Sequence, residues 1–195
     1  MVNMSAFRIC SNLWIVWAFI WMLWAFRSKQ TKQSEGLVSR FTYIIPAWAS
    51  ICLISLPRTF AMWGNTAIFP SSATLAAIGI AITCLGFAVT LWARLILGSN
   101  WSGTVTIKVD HELIRTGPYR WVRHPIYTGL IVALIGTAIV LDQWRGVPAI
   151  FLLWLAFTIK RLKEEQFMRQ TFGEQYTAYS QTTGAIFPSL LRRSS

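Results

Sequence analysis

Two short runs of this chain hold the residue types and spacings that do chemistry. The first is Gly117-Pro118-Tyr119-Arg120-Trp121-Val122-Arg123-His124-Pro125-Ile126-Tyr127-Thr128-Gly129. Pro125 suits the first position of a helix, where its missing N–H would be unpaired anyway, and His124 then becomes the N-cap. Tyr127 lies three residues on and shares the face of His124. Free N–H groups and the helix dipole favour an anion at such a start, so a carboxylate or phosphate could dock there. Gly129 leaves room for a close approach to the backbone. The second run is Lys160-Arg161-Leu162-Lys163-Glu164-Glu165, where two of the chain's seven acids stand side by side. On a helix, Arg161 reaches Glu164 at i+3 and Glu165 at i+4. Tyr176 and Tyr179 follow, on one side of any helical continuation beyond Gly173, which could itself act as a C-cap. The plain alternatives are an interfacial belt of Trp, Tyr and Arg and a solvated helix end.

Taken in order, these pieces resemble the isoprenylcysteine carboxyl methyltransferase family, especially its short prokaryotic members. The matching elements are Arg123 to Gly129, the Glu164-Glu165 pair, and Phe172-Gly173-Glu174-Gln175-Tyr176 with Tyr179. Upstream, His111, Leu113, Gly117 and Tyr119 fit the His-x-Leu and Gly-x-Tyr elements, and Asn100-Trp101-Ser102 is typical of the short members. The resemblance is strong from Leu97 to Pro188 and only topological before that. It implies S-adenosylmethionine as methyl donor, in a cytoplasm-facing pocket of the last two spans, the connection before them and the C-terminal segment. It implies a lipophilic acceptor, an isoprenoid or prenylcysteine-like carboxylate, entering sideways from the membrane. By the same resemblance His111, Leu113, Gly117, Tyr119, His124 and Tyr127 surround the donor, with His124 toward its methionyl carboxylate. Glu164 or Glu165 would take its ammonium or ribose hydroxyls. Arg161 is the expected anchor for the acceptor carboxylate, although many members carry that arginine one position earlier, at Lys160 here. An ionised carboxylate needs no strong base; an amine acceptor would need one, and Glu165 is the first choice.

Rival readings are an NADPH-dependent membrane reductase of a sterol-like or unsaturated lipid, with Arg115, Arg120 and Arg123 serving the extra phosphate, and a non-catalytic or transport role. His111 and His124 without clustered cysteines do not make a metal site. No GxGxxG follows a strand and no GxxxxGK[ST] occurs.

The elements that must position these residues are membrane helices. Of the 195 residues, 54% are hydrophobic and 13% charged, mean hydropathy is +0.48, and there are 11 tryptophans. Soluble domains usually carry about 25% charge. The net charge of +11 lies in short basic clusters beside apolar runs. That favours anionic lipid headgroups over nucleic acid as counter-charge. Five apolar segments predict an all-α bundle of five transmembrane helices: Asn12 to Phe26, Phe41 to Leu56 with Pro46 inside, Ser72 to Leu97, Pro125 to Leu141, and Val147 to Ile159. The first lacks a cleavage site and reads as a retained helix. Cys10, Cys52 and Cys84 read as isolated buried apolar side chains. Small residues in the third segment, Gly79 and Gly86 among them, allow close helix contact.

The whole is one domain. Residues 1–97 carry three helices and 98–195 the cofactor-binding and catalytic half. Basic residues concentrate in the first and third connections and the C-terminal tail. That predicts an outside N-terminus and a cytoplasmic C-terminus, and the resemblance to the short members implies a prokaryotic inner (cell) membrane. Thr104-Val105-Thr106-Ile107 alternates as a short extended or interfacial piece.

Overall fold

The computed structural model describes residues 4–25, 31–55, 64–70, 72–108 and 112–189. Among the described residues six α-helices make up the body: α1 (Met4–Ala25), α2 (Leu37–Ser55), α3 (Ala73–Leu97), α4 (Pro125–Leu141), α5 (Gly146–Phe172) and α6 (Glu174–Thr182). By length and composition α1, α2 and α3 can each cross a membrane. Their outer faces carry exposed Ile15, Phe19, Leu23, Phe41, Ile45 and Trp48, a surface that only lipid solvates well. The chain is therefore an integral membrane protein. The helical body is as expected, with one addition: β1 (Thr31–Ser34) pairs antiparallel with β2 (Thr106–Lys108). This ribbon accounts for the alternation around Thr104 to Ile107.

Close packing of α3 on α4 forms the spine. Gly79 faces the Gly136 carbonyl, where an added Cβ would stand 2.7 Å from it, and Gly129 faces the Gly86 carbonyl at 2.6 Å. The numbering runs in opposite directions, so the helices are antiparallel with backbones in contact. Absent side chains are what allow this approach. The room at Gly129 is thus filled by α3. Thr83 and Thr137 bond their own helices' carbonyls at 2.9 Å, so neither hydroxyl is orphaned in the seam. α2 lies on α5, tied by Ser50 Oγ to the Ala149 carbonyl at 2.7 Å. α1 lies against the spine through indole donors, Trp14 to Thr137 Oγ1 at 3.0 Å and Trp17 to Thr90 Oγ1 at 2.9 Å.

Two details differ from the sequence reading. Cys10 is buried, but Cys52 and Cys84 are exposed on the outsides of α2 and α3; an apolar thiol is as comfortable in lipid as in a core. The fifth helix runs on from its apolar part to Phe172 and ends where Gly173 turns to φ 51°, its N–H returning to the Arg169 carbonyl. The apolar run marked only the part that prefers lipid, while helical hydrogen bonding continues through the charged turns. At the far end Asp142 adopts φ 49° and its carboxylate caps the amides of Ile68 and Phe69 at 3.2 and 3.0 Å. This ties the α4–α5 turn to the segment that precedes α3.

Candidate functional site

At the other end of the bundle, where α3 and α5 finish and α4 begins, the polar connection folds over a cavity of about 270 Å³. His124 is the N-cap of α4 with Pro125 behind it. Its side chain does not cap the helix and is turned toward α5 instead. Backbone bonds hold it from the C-terminal segment: Arg123 N–H to the Gly184 carbonyl at 2.8 Å and His124 N–H to the Ala185 carbonyl at 3.0 Å.

The two acids have different surroundings. Glu164 lines the cavity. It accepts from Tyr127 Oη at 2.7 Å and meets His124 Nδ1 at 3.4 Å and Lys160 Nζ at 4.0 Å. Glu165 is not among the described lining residues and is 3% exposed. It meets Arg123 at 3.2 Å, His124 Nε2 at 3.3 Å, Arg169 at 3.5 Å and Arg161 at 3.6 Å. Burial opposes the charge of Glu165, but hydrogen bonds from His124 and the Arg123 guanidinium outweigh it and hold the carboxyl down at about 2. Glu164 is likewise lowered: burial works against its charge, and His124, Lys160 and Tyr127 overcome it. Burial also disfavours the imidazolium of His124, yet its bonds to both acids raise its pKa above the ordinary value. Both ring nitrogens are thus engaged by carboxylates.

Aromatic rings stack on this cluster. His124 lies parallel to Tyr127 with centroids 5.3 Å apart, and Tyr127 on Phe157 at 4.5 Å. Lys160 Nζ sits 5.5 Å from the Tyr43 and Tyr127 ring centres and donates to the Gly103 carbonyl at 2.8 Å. Tyr179, pushed up to about 12 by burial, stays protonated and donates to the Tyr119 carbonyl at 2.7 Å.

Of the residues expected at the site, Leu113, Tyr119, His124, Tyr127 and Glu164 line the cavity. Gly117 is not in the described lining; it takes φ 57°, and a Cβ added there would stand 3.0 Å from Ile96. Arg161 joins Glu165 away from the described lining. His111 lies outside the described residues. Lys160 is in the lining, one helical position from Arg161. The sequence reading also did not include Trp17 and Trp21 of α1, which supply an aromatic wall and stack at 4.6 Å. Their signal was present, since Trp14, Trp17 and Trp21 share one helical face. Asn100 and Thr106 line the cavity too. Asn100 Oδ1 and Thr106 Oγ1 have no hydrogen-bond partner among the described residues. Arg115 and Arg120, the bases available for an extra phosphate, are exposed. Arg123 is committed to Glu165 and to the Ser180 and Thr183 carbonyls. No group of His, Cys, Asp and Glu among the described residues could hold a metal ion.

This site falls largely within residues 78–170, the stretch matched by the model of the isoprenylcysteine carboxyl methyltransferase (ICMT) family. Over that stretch the chain is similar to the ICMT family. A protein-S-isoprenylcysteine O-methyltransferase of Tribolium castaneum is 36% identical over 117 residues, 58% of this chain and 42% of that protein. The Saccharomyces cerevisiae protein of the same name is 32% identical over 114 residues, 57% of this chain and 48% of its own length. A solved structure of the eukaryotic intramembrane Ras methyltransferase ICMT superposes with TM-score 0.52 at 27% identity, covering 75% of this chain and 52% of that one. The chain thus spans about half the length of these relatives.

Proposed function

We propose that this protein transfers a methyl group from S-adenosylmethionine to the carboxylate of an isoprenoid or prenylcysteine-like acceptor. The observation that carries this reading is the cavity itself. A half-buried Glu164 with a lowered pKa and two tryptophans of a membrane helix line the same space. A water-soluble cation and a lipid-soluble tail can therefore meet within one cavity. The residues present fit the donor: Glu164 complements its positive charge, aromatic faces accept a sulfonium as they accept other cations, and Asn100 and Thr106 offer polar atoms to hydroxyls or amines. When bound, S-adenosylmethionine supplies an electrophilic methyl carbon on sulfur.

The chain's own residues then bind and align. Lys160 would hold the acceptor carboxylate near Glu164 and the Tyr127 face. An ionised carboxylate acceptor has no proton for these residues to remove. Glu165, with Arg123, Arg161 and Arg169, acts through His124 by fixing its ring. The rate gain comes from alignment and exclusion of water.

The topology belongs to the same reading: five spans, α4 and the apolar part of α5 completing those of α1 to α3. The N-terminus is outside, and the cavity and C-terminus face the cytoplasm of a prokaryotic cell. The 17 residues of α4 suffice to cross when its ends are interfacial.

The test is calorimetry in detergent with S-adenosylhomocysteine, followed by labelled methyl incorporation into an S-farnesylcysteine derivative. Binding of the homocysteine with base-labile incorporation is expected. Tight NADPH binding with no response to S-adenosylhomocysteine would reverse the assignment.

A further inference from the structure

The cavity has a roof. Ser102 to Thr104 and Thr106 line it from above the α5 turn, and β2 begins at Thr106. Val105, between the two lining threonines, points the other way and is 1% exposed. It packs with Tyr43 of α2 and Ala156 of α5. The roof is thus a short ribbon whose inner strand alternates between cavity and core.

A buried carboxylate fastens it. Glu35, which follows β1, is 7% exposed. Its amide donates to the Val105 carbonyl at 3.1 Å, and its carboxylate accepts from the Val105 amide at 3.4 Å. The same carboxylate accepts from Tyr43 Oη and from Ser39 Oγ at 2.7 Å, and faces Lys163 Nζ at 3.8 Å. Lys163 in turn donates to the Ser39 carbonyl at 2.6 Å and to Thr42 Oγ1 at 2.7 Å. It precedes Glu164 on α5. One side chain therefore joins the roof, the start of α2, and the helical turn that carries Glu164.

From this juxtaposition we infer that Glu35 is a positioning residue for donor binding, fixing the Thr104–Thr106 roof at a set height above Glu164. The inference rests on the donor reading of the cavity. It also reaches beyond the family segment, since Glu35 lies outside residues 78–170. A buried acid with this many donors is costly to leave half satisfied. Its removal frees the roof without touching any group that lines the cavity.

The experiment compares wild type with Glu35→Gln and Tyr43→Phe in detergent. S-adenosylhomocysteine affinity is measured by calorimetry, and the KM and kcat for methyl transfer by labelled incorporation. Backbone hydrogen exchange is followed at 104–106 with and without the homocysteine. The expected result is affinity weakened roughly tenfold and donor KM raised to match, the scale of one lost charge-assisted hydrogen bond, with a smaller change in kcat. Exchange at 104–106 should rise in both variants and fall again when the ligand is saturating. Tyr43→Phe removes one hydroxyl and serves if Glu35→Gln does not fold. Lowered melting with unchanged affinity and unchanged KM would make Glu35 a structural residue and overturn the inference alone. Failure of wild type to bind S-adenosylhomocysteine would overturn it together with the donor reading.

Discussion

Replacing Glu165 by Gln keeps the side chain's shape and removes its charge from among Arg123, His124, Arg161 and Arg169. A carboxyl held at about 2 instead of its ordinary 4.5 contributes about 3 kcal/mol to folding at pH 7. The side chain is nearly inaccessible, so solvent screening takes little from that figure. The sign is fixed by the direction of the shift. The folded carboxyl is the stronger acid, so its contribution is complete above pH ~5 and drains away as pH falls toward 2. At pH 3.5 about 2 kcal/mol should remain. For a chain of this size each kcal/mol moves the melting temperature by roughly 2–4 °C. Thermal melting in detergent should therefore place Glu165→Gln about 6–12 °C below wild type at pH 7, with the gap narrowing by about a third at pH 3.5. Methyl transfer, measured well below the variant's own melting point, should fall with the loss of His124 orientation. A variant melting with wild type at pH 7 would refute the hub role of Glu165. So would a gap that stays constant with pH.

The raised pKa of His124 predicts stability that is fully present below pH ~6.5 and lost as pH climbs through the higher folded value; melting of His124→Ala should lack that slope. The same variant should bind S-adenosylhomocysteine weaker by about 1.5–3 kcal/mol, read by calorimetry. Gly86→Ala would drive a methyl into the Gly129 carbonyl and the Ala133 amide; a loss of about 2 kcal/mol or more is expected in melting. Gly36→Ala, with nothing within 4 Å of the added carbon, should stay within about 0.5 kcal/mol of wild type. Reporter fusions at Gly36 and Ser195 should read cytoplasm and one near Gly64 outside; a cytoplasmic signal at Gly64 would refute the five-span topology.

Much of the site was legible because its chemistry is local. Pro125 after His124 announces a helix start, and Tyr127 three residues on must share its face; both relations survive in the structure. Gly173 ending a helix and Tyr176 beside Tyr179 belong to the same short-range kind. Partner choice within the ion network was not legible. Helical spacing offers Arg161 two acids, and it meets Glu165 at i+4 as Lys160 meets Glu164; that His124 would reach both acids depends on how α4 lies against α5. The roof was only half visible, since the alternation at Thr104 to Ile107 shows an extended piece but not its partner strand β1, about seventy residues away in sequence. The wall from α1 went unread because membrane tryptophans usually signify interface, and helical spacing alone cannot say which face meets protein and which meets lipid.

That wall has a consequence for how the protein should be handled. Of all α1, only Ala6 and Cys10 are fully buried, and its polar ties to the spine are few, two indole N–H bonds and a bond from Arg94 to the Trp24 carbonyl among them, yet Trp17 and Trp21 complete the cavity. A partition fixed so lightly on its inner side takes its position from whatever presses on its outer side. Chain length, packing and lateral pressure of the surrounding amphiphile therefore set the width of the compartment. The choice of detergent or lipid becomes a variable of the cavity's dimensions as much as of solubility.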